Sequence, residues 1–214
     1  MTNYKAHKRY VLKDGRPCVG TTTVCSLHSK PQLINWANRL GLDNIEVSKY
    51  KDHLADIGSC AHLLIEAHLK AVKDIPQLDN YSKEQIDIAK KCLDKFFQWV
   101  MFAKDFEVIE IELPLVSEAY EFGGTIDIYC NLNGKKTLID IKTGGVYPDH
   151  HVQLAAYNRL LLENNYEVED VRIIQVPRSD KEQFSDIVIP ALDLNWKKFY
   201  HLLQIYKINR ELKV

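Results

Sequence analysis

Asn133-Gly134 separates two runs rich in β-branched and aromatic residues, 123–132 and 135–144, and no other feature constrains the fold of this chain as strongly. Asn-Gly readily adopts the left-handed backbone of a tight type I′ turn, so it is the strongest short-range hairpin signal. With a two-residue loop, Leu132 faces Lys135 and paired positions sum to a constant. Asp127 then falls directly across from Asp140. Side chains alternate faces along a strand. Asp140 and Lys142 therefore share a face with Asp127, and Ile126, Ile128, Ile139 and Ile141 form an apolar face behind them.

Two carboxylates directly opposed on a sheet destabilise it. A bound divalent cation resolves the repulsion, because carboxylate oxygens are the hard ligands that Mg2+ and Mn2+ prefer. The carbonyl of Ile141 can add another oxygen. The predicted chemistry is metal-assisted hydrolysis of a phosphodiester. Asp127 and Asp140 hold a cation that polarises the phosphate and acidifies a water. Lys142 orients that water or neutralises charge on the phosphate oxygens. A lone Asp-x-Lys strand is more often a solvated face with a surface ion pair; here the Asp127 pairing and the apolar reverse face favour a site.

Composition narrows the class. The chain has 214 residues, 46% hydrophobic and 27% charged, which is enough for one sizeable core and predicts a single domain. The net charge of -1 leaves nucleic-acid binding to local patches. Five scattered cysteines without a Cys-x-x-Cys pair exclude a disulfide framework. No apolar run is long enough to span a membrane, and the N-terminus has no apolar signal region. The expected setting is soluble and reducing: the cytoplasm of a bacterium or of a phage-infected host.

Short strands are expected at 10–12 and 21–25. Ser29, Pro31 and Gly41 bound a helix whose apolar stripe is Leu33, Ile34, Trp36, Ala37 and Leu40. A second helix is expected over 55–72. Ser82 and Gln85 form a capping box that opens a third, through 103. The period then changes to that of strands: 106–116, the hairpin, 171–176 and 187–189. Helices are expected at 149–163 and at 194–212, the latter capped by Asp193. The prediction is an α/β fold with a central mixed β-sheet flanked by helices. Within 1–214 it has a mainly helical part (1–105), a sheet core (106–190) and a C-terminal helix (191–214).

His62 and Glu66 are four apart on the second helix and project from one side. Gly58-Ser59 lets another backbone approach. His62 can ligate the same metal, favouring Mn2+, and Glu66 can fix its ring or a water. Gln153 and Tyr157 likewise share a helical face after the hairpin, suited to a phosphate or base, or to core packing. Histidines 53, 68, 150 and 151 are expected in structural places. Basic candidates for nucleic acid are diffuse: Lys5, His7, Lys8, Arg9 and Lys13, then Lys90, Lys91 and Lys95, then Lys197, Lys198, Lys207 and Arg210, with Trp36 and Arg39 able to line a groove. Each run singly is more often a solvated face. The chain has no P-loop, dinucleotide fingerprint, nucleophile elbow or His-Glu-x-x-His motif.

Together these residues resemble the PD-(D/E)xK nuclease superfamily, on its RecB-like and phage-type exonuclease branch. Gly58-Ser59-Cys60-Ala61-His62 with Glu66 is similar to the branch's helical histidine motif. Phe122-Gly123-Gly124-Thr125-Ile126-Asp127 is similar to its first acidic strand, Leu138-Ile139-Asp140-Ile141-Lys142-Thr143-Gly144 to its Asp-x-Lys strand, and Gln153-Leu154-Ala155-Ala156-Tyr157 to its Gln-x-x-x-Tyr helix. Thr21-Thr22-Thr23-Val24 and Pro31-x-Leu33-x-x-Trp36 resemble the N-terminal part of phage-type members. The match runs from about residue 20 to 160.

The resemblance implies a restriction-endonuclease-like core and a metal-dependent DNA exonuclease acting from ends, in recombination, repair or replication. It implies metal ligands at His62, Asp127 and Asp140, with Lys142 catalytic, Gln153 and Tyr157 supporting, and Glu112 an auxiliary acid. The cysteine set of iron–sulfur members is missing, so no cluster is expected. No helicase segment is present, so a motor, a single-strand-binding protein or a recombination protein would be a separate partner on the DNA. Two rival readings stay open: a non-cleaving module that holds nucleic acid or a partner, and a site-specific endonuclease.

Overall fold

The structure, a computed structural model, describes residues 10–179 and 181–212. The basic residues Lys5, His7, Lys8 and Arg9 lie outside the described part. Seven strands among the described residues form a mixed sheet: β1 (Tyr10–Val11), β2 (Pro17–Gly20), β3 (Glu107–Ser117), β4 (Phe122–Leu132), β5 (Lys135–Thr143), β6 (Asp170–Val176) and β7 (Ser185–Val188). The order is β1-β2-β4-β5-β6-β7, and β3 also pairs with β4. The helices are α1 (Thr21–Cys25), α2 (Gln32–Leu42), α3 (Val47–Leu69), α4 (Lys83–Phe102), α5 (Pro148–Glu163) and α6 (Leu192–Glu211). This is the expected α/β architecture, a central mixed sheet flanked by helices. No helix among the described residues is long and apolar enough to cross a membrane.

The hairpin forms with the register that Asn133-Gly134 dictates. Leu132 pairs with Lys135 and Ile128 with Ile139, and both turn residues have positive φ. The sheet separates two apolar layers. On one side Phe122, Ile126 and Leu138 pack with Leu154 and Leu160 of α5 and Phe199 and Leu203 of α6. On the other, Ile128, Ile139, Ile141 and Ile174 pack with Ile65 of α3 and Phe96 of α4. The predicted capping box holds α4: Gln85 N–H donates to Ser82 Oγ at 3.2 Å, and Ser82 N–H donates to Gln85 Oε1 at 2.8 Å.

Several local expectations are corrected. Thr21–Cys25 is helical rather than a strand, because Gly20 ends β2 and the chain turns under α5, burying Thr21, Val24 and Cys25. α3 begins at Val47 and ends at Leu69, so it is longer at its start than its apolar residues indicate; its first two turns are solvent-facing. Pro31, not Ser29, precedes α2, and Gly41 lies within the helix instead of stopping it. The apolar stripe of α2 does not enter the core: Leu33 and Ile34 are exposed, and Trp36 is half-buried in ring contact with Tyr50. α6 starts at Leu192 after Ala191 in a left-handed conformation, so Asp193 lies in its first turn and is not its cap. Ile126 lies across the sheet from Ile128, Ile139 and Ile141, in the layer under α5.

The glycine pair at the head of β4 admits two rings. A Cβ on Gly123 would strike the Tyr10 ring. A Cβ on Gly124 would lie 2.6 Å from Tyr157 Cε1 and 2.9 Å from Thr21 Oγ1. These backbone positions stay bare so that α5 and its Tyr157 come against the sheet. Gly124→Ala is expected to overpack this contact and destabilise the fold by about 1–3 kcal/mol, read as a lower midpoint in urea unfolding. An unchanged midpoint would show that α5 gives way freely.

Candidate active site

The site grows from an interruption in the sheet. One edge of β4 pairs with β3 from Phe122 to Asn131. The other edge pairs with β5 only from Leu132 back to Ile128, and with β2 at Phe122 and Gly123. Between those partners, at 124–127, this edge has no ladder partner among the described residues. Asp127 and Asp140 are therefore the next positions in register, but the strands have already parted; the expected direct pairing stops one step short. The carboxylate of Asp127 takes the place of the missing ladder bond, Oδ2 accepting from Ile141 N–H at 2.8 Å. Beyond this point β5 stays aligned with β6 through Thr143 and Val176.

Across β3 the same level is irregular. Ile111 faces Ile128 and Leu113 faces Ile126, which sets Glu112 beside Asp127. Glu112 has φ 53°, in the left-handed region that a glutamate in a strand rarely adopts. Face alternation breaks here, which is why Ile126 and Ile128 enter different layers. From α3, His62 Nε2 lies 3.0 Å from the Ile141 carbonyl. A carbonyl cannot donate, so this bond puts the ring proton on Nε2 and leaves the Nδ1 lone pair, which lies 3.6 Å from Asp127 Oδ2. His62, Glu112 and Asp127 each offer one ligand atom, all within 4.8 Å of one another.

Electrostatics at this notch suit a cation. Burial pushes the Asp127 carboxyl up to about 7, and the neighbouring Asp140 adds to the rise. Burial, and after it the Lys142 charge, hold His62 below its ordinary value, so the imidazole is neutral as a ligand must be. Asp140 lies outside the three-donor group. Its side chain is 1% exposed and its Oδ2 lies 2.7 Å from Lys142 Nζ. Neither carboxylate oxygen of Asp140 has a partner in hydrogen-bonding geometry among the described residues. Burial works to lower the Lys142 pKa, but Asp140 and Asp127 outweigh it and hold the ammonium above its usual value. A hard divalent cation fits these donors: an imidazole nitrogen and two carboxylates close together, and a third carboxylate that is paired with Lys142 through Oδ2 and keeps Oδ1 available.

Lys142 is itself held from α5. Its Nζ donates to Gln153 Oε1 at 3.3 Å, and Gln153 Nε2 donates to Tyr157 Oη at 2.8 Å. Burial raises the Tyr157 phenol well above its ordinary value, so it stays neutral. The face shared by Gln153 and Tyr157 thus ends on the lysine.

Of the residues singled out in the sequence, the structure brings together His62, Asp127, Asp140, Ile141, Lys142, Gln153, Tyr157 and Glu112. It does not bring in Glu66. That carboxylate pairs with Lys70 at 2.8 Å on the same helix, and the His62 ring is fixed by the Ile141 carbonyl instead. Glu112 was expected only through the family resemblance; nothing in a strand pattern marks a residue that will adopt positive φ. His150, expected in a loop or at a helix start, closes the start of α5: its Nδ1 accepts from Tyr147 N–H at 3.2 Å. Burial and the Lys142 charge push it down to about 4.

Comparison with solved structures places the fold. The chain superposes on the crystal structure of a "putative exonuclease" from Eubacterium rectale with a TM-score of 0.50 at 12% identity, over 72% of this chain and 66% of that one. The two proteins share a fold. The chain spans 66% of the length of that protein, a little under two thirds. An alkaline exonuclease from Laribacter hongkongensis aligns at 13% identity over 92% of this chain and 89% of that one, with a TM-score of 0.47. No protein-family model and no curated protein matches the chain.

The raised Asp127 carboxyl has a stability signature. Below its ordinary value of 3.8 the group is protonated in folded and unfolded chains alike, so it contributes nothing. Between 3.8 and about 7 the unfolded chain ionises while the folded one keeps its proton, and stability falls as pH rises. Above about 7 the deficit is constant. Asp127→Asn keeps an acceptor for Ile141 and removes the charge. In EDTA, its melting temperature should match the parent's near pH 4 and exceed it at pH 8. Parallel curves across this range would count against the buried charge.

Proposed function

We propose that this chain is a divalent-metal-dependent deoxyribonuclease that hydrolyses phosphodiester bonds from DNA ends. The supporting observation is the meeting, in the fold shared with the Eubacterium rectale protein, of the His62, Glu112 and Asp127 donor group with the Lys142–Asp140 pair at one notch of the sheet. His62, Glu112, Asp127, Asp140 and the Ile141 carbonyl are the groups that would hold Mg2+ or Mn2+. When bound, such a cation supplies Lewis-acid polarisation of the phosphodiester and lowers the pKa of the attacking water. Residues 1–214 act as a single nuclease domain in this reading. Its setting is cytoplasmic recombination, repair or replication, in company with a recombination, single-strand-binding or helicase protein.

The residues divide the work. Lys142 is charged, so it cannot take a proton from water. It neutralises charge that builds on the phosphate oxygens and can donate toward the attacking water or the leaving oxygen. Gln153 and Tyr157 hold the ammonium in one place, and Asp140 keeps it charged. Water oxygen adds to phosphorus and gives up a proton to solvent, the ester P–O bond breaks, and the departing alkoxide takes a proton from Lys142, which solvent then replaces, and leaves as an alcohol. Burial of the notch strengthens each of these charge contacts relative to water.

Asp140→Asn and Lys142→Ala should each lower cleavage of end-labelled single- or double-stranded DNA by about 100-fold or more, with circular-dichroism spectra unchanged. Activity at the parental level in either variant would sink the assignment. Closed circular DNA should remain intact; nicking would convert the reading to an endonuclease. DNA binding without cleavage in both Mg2+ and Mn2+ would leave a binding module. His62→Ala should weaken activity and shift the Mg2+-to-Mn2+ activity ratio toward Mg2+, since the lost nitrogen ligand favours Mn2+; an unchanged ratio would exclude His62 as a ligand.

A further inference from the structure

α5 carries more of this site than its glutamine and tyrosine. Asp149, Gln153 and Tyr157 follow one another at four-residue steps and share a side of the helix. Tyr157 holds Gln153, and Gln153 holds Lys142. One turn nearer the helix start, Asp149 holds a second lysine: Lys30 Nζ donates to its Oδ2 at 2.6 Å. Lys30 comes from the connection between α1 and α2, where its carbonyl accepts from Leu33 N–H at 2.9 Å. The Asp149 side chain is 10% exposed and that of Lys30 32%. Charges on Lys142, Asp140, Lys30 and Asp149 all act on the buried thiol of Cys25 and on His150, so the two lysines share one electrostatic neighbourhood.

The pair is not needed to place the elements it joins. α1 and α5 already meet in the apolar layer through Val24, Val152 and Ala156. The start of α5 has its own closure, Pro148 and the bond from Tyr147 N–H to His150 Nδ1, and an aspartate there is favoured by the helix dipole without a lysine. Desolvating a lysine against a carboxylate gives little or no net stability in return. What the pair does achieve is position. The anchors of Lys30 and Lys142, Asp149 and Gln153, are four residues apart on α5, a rise of about 6 Å, so both ammonium groups are held from one side of this helix, about a turn apart along it.

We propose that Lys30 is a second phosphate-binding residue, which contacts the phosphodiester next to the one at Lys142 in a polynucleotide strand, and that Asp149 is its counter-ion in the absence of substrate. The inference rests on the nuclease reading and deepens it. The site takes a strand with at least two consecutive phosphates, and the incoming phosphate competes with Asp149 for the ammonium.

Fluorescence-anisotropy titration of a labelled single-stranded oligonucleotide in EDTA, repeated across a KCl series, tests this. Lys30→Met should weaken binding by about tenfold at low salt. It should also reduce the slope of log K against log salt by about 0.7, one phosphate contact. Asp149→Asn breaks the same ion pair but frees the lysine, so binding should tighten by about threefold with the parental slope kept. A structural tether predicts loss in both variants. The double variant Lys30→Met/Asp149→Asn leaves no lone buried charge and covers the case in which Lys30→Met alone does not fold; it should show the reduced slope. Parental slopes in the lysine variants, or equal weakening in Asp149→Asn, would overturn the assignment while the nuclease reading stands. A parent protein that neither binds nor cuts DNA would overturn both.

Discussion

A single side-chain-to-backbone hydrogen bond organises this structure. Asp127 Oδ2 accepts the Ile141 N–H at the point where β4 and β5 separate. A strand that loses its neighbour in a sheet interior leaves backbone donors and acceptors that must be satisfied elsewhere. Here the carboxylate satisfies the donor, and His62, from a helix on the opposite face to α5, satisfies the Ile141 carbonyl. The same notch therefore brings an aspartate and a histidine to one place as part of solving a backbone problem. Glu112 joins them because β3 follows β4 through the irregularity, at the strain of a left-handed glutamate.

The charges around the notch form a graded set. Asp127, Asp140 and Lys142 are too close and too enclosed for independent behaviour. The lysine is kept charged by the two carboxylates, while Asp127 is pushed toward its protonated form by burial and by Asp140. An arrangement with more acid than one ammonium can balance is poised for a further positive charge. α5 contributes at the other end by fixing lysines: Gln153 holds one and Asp149 another, a turn apart. The helix acts as a ruler, and the small backbone of Gly124 lets it approach the sheet.

Much of this is legible in the sequence because it follows from local rules. Asn133-Gly134 fixes the register of the hairpin, and the pairs Leu132–Lys135 to Ile128–Ile139 follow by counting. The Ser82–Gln85 box marks the start of α4 from two residues. The four-residue step from Gln153 to Tyr157 reads directly as one helical face. The same step back reaches Asp149, a signal that is present but has no visible meaning until Lys30 arrives from 119 residues away. Where local reading goes wrong, a distant partner decides. Thr21–Cys25 has β-branched residues yet turns helical to pack under α5. Ile126 changes layer because alternation breaks at Asp127 and Glu112. Glu66 lies on the face of His62, but Lys70 on its own helix takes it.

The sequence by itself determined the hairpin, its register, the periodicity of the main helices and the residue types able to bind a hard cation, since each depends on neighbours a few positions apart. Only the tertiary structure decided that the ladder stops one pair before the aspartates. That outcome depends on β2 and β5 sharing one edge of β4, a competition between segments more than a hundred residues apart in the chain. It also decided which acid joins His62 and Asp127. Proximity of Glu112 comes from a backbone conformation imposed by packing, which no pattern of side chains along a strand encodes.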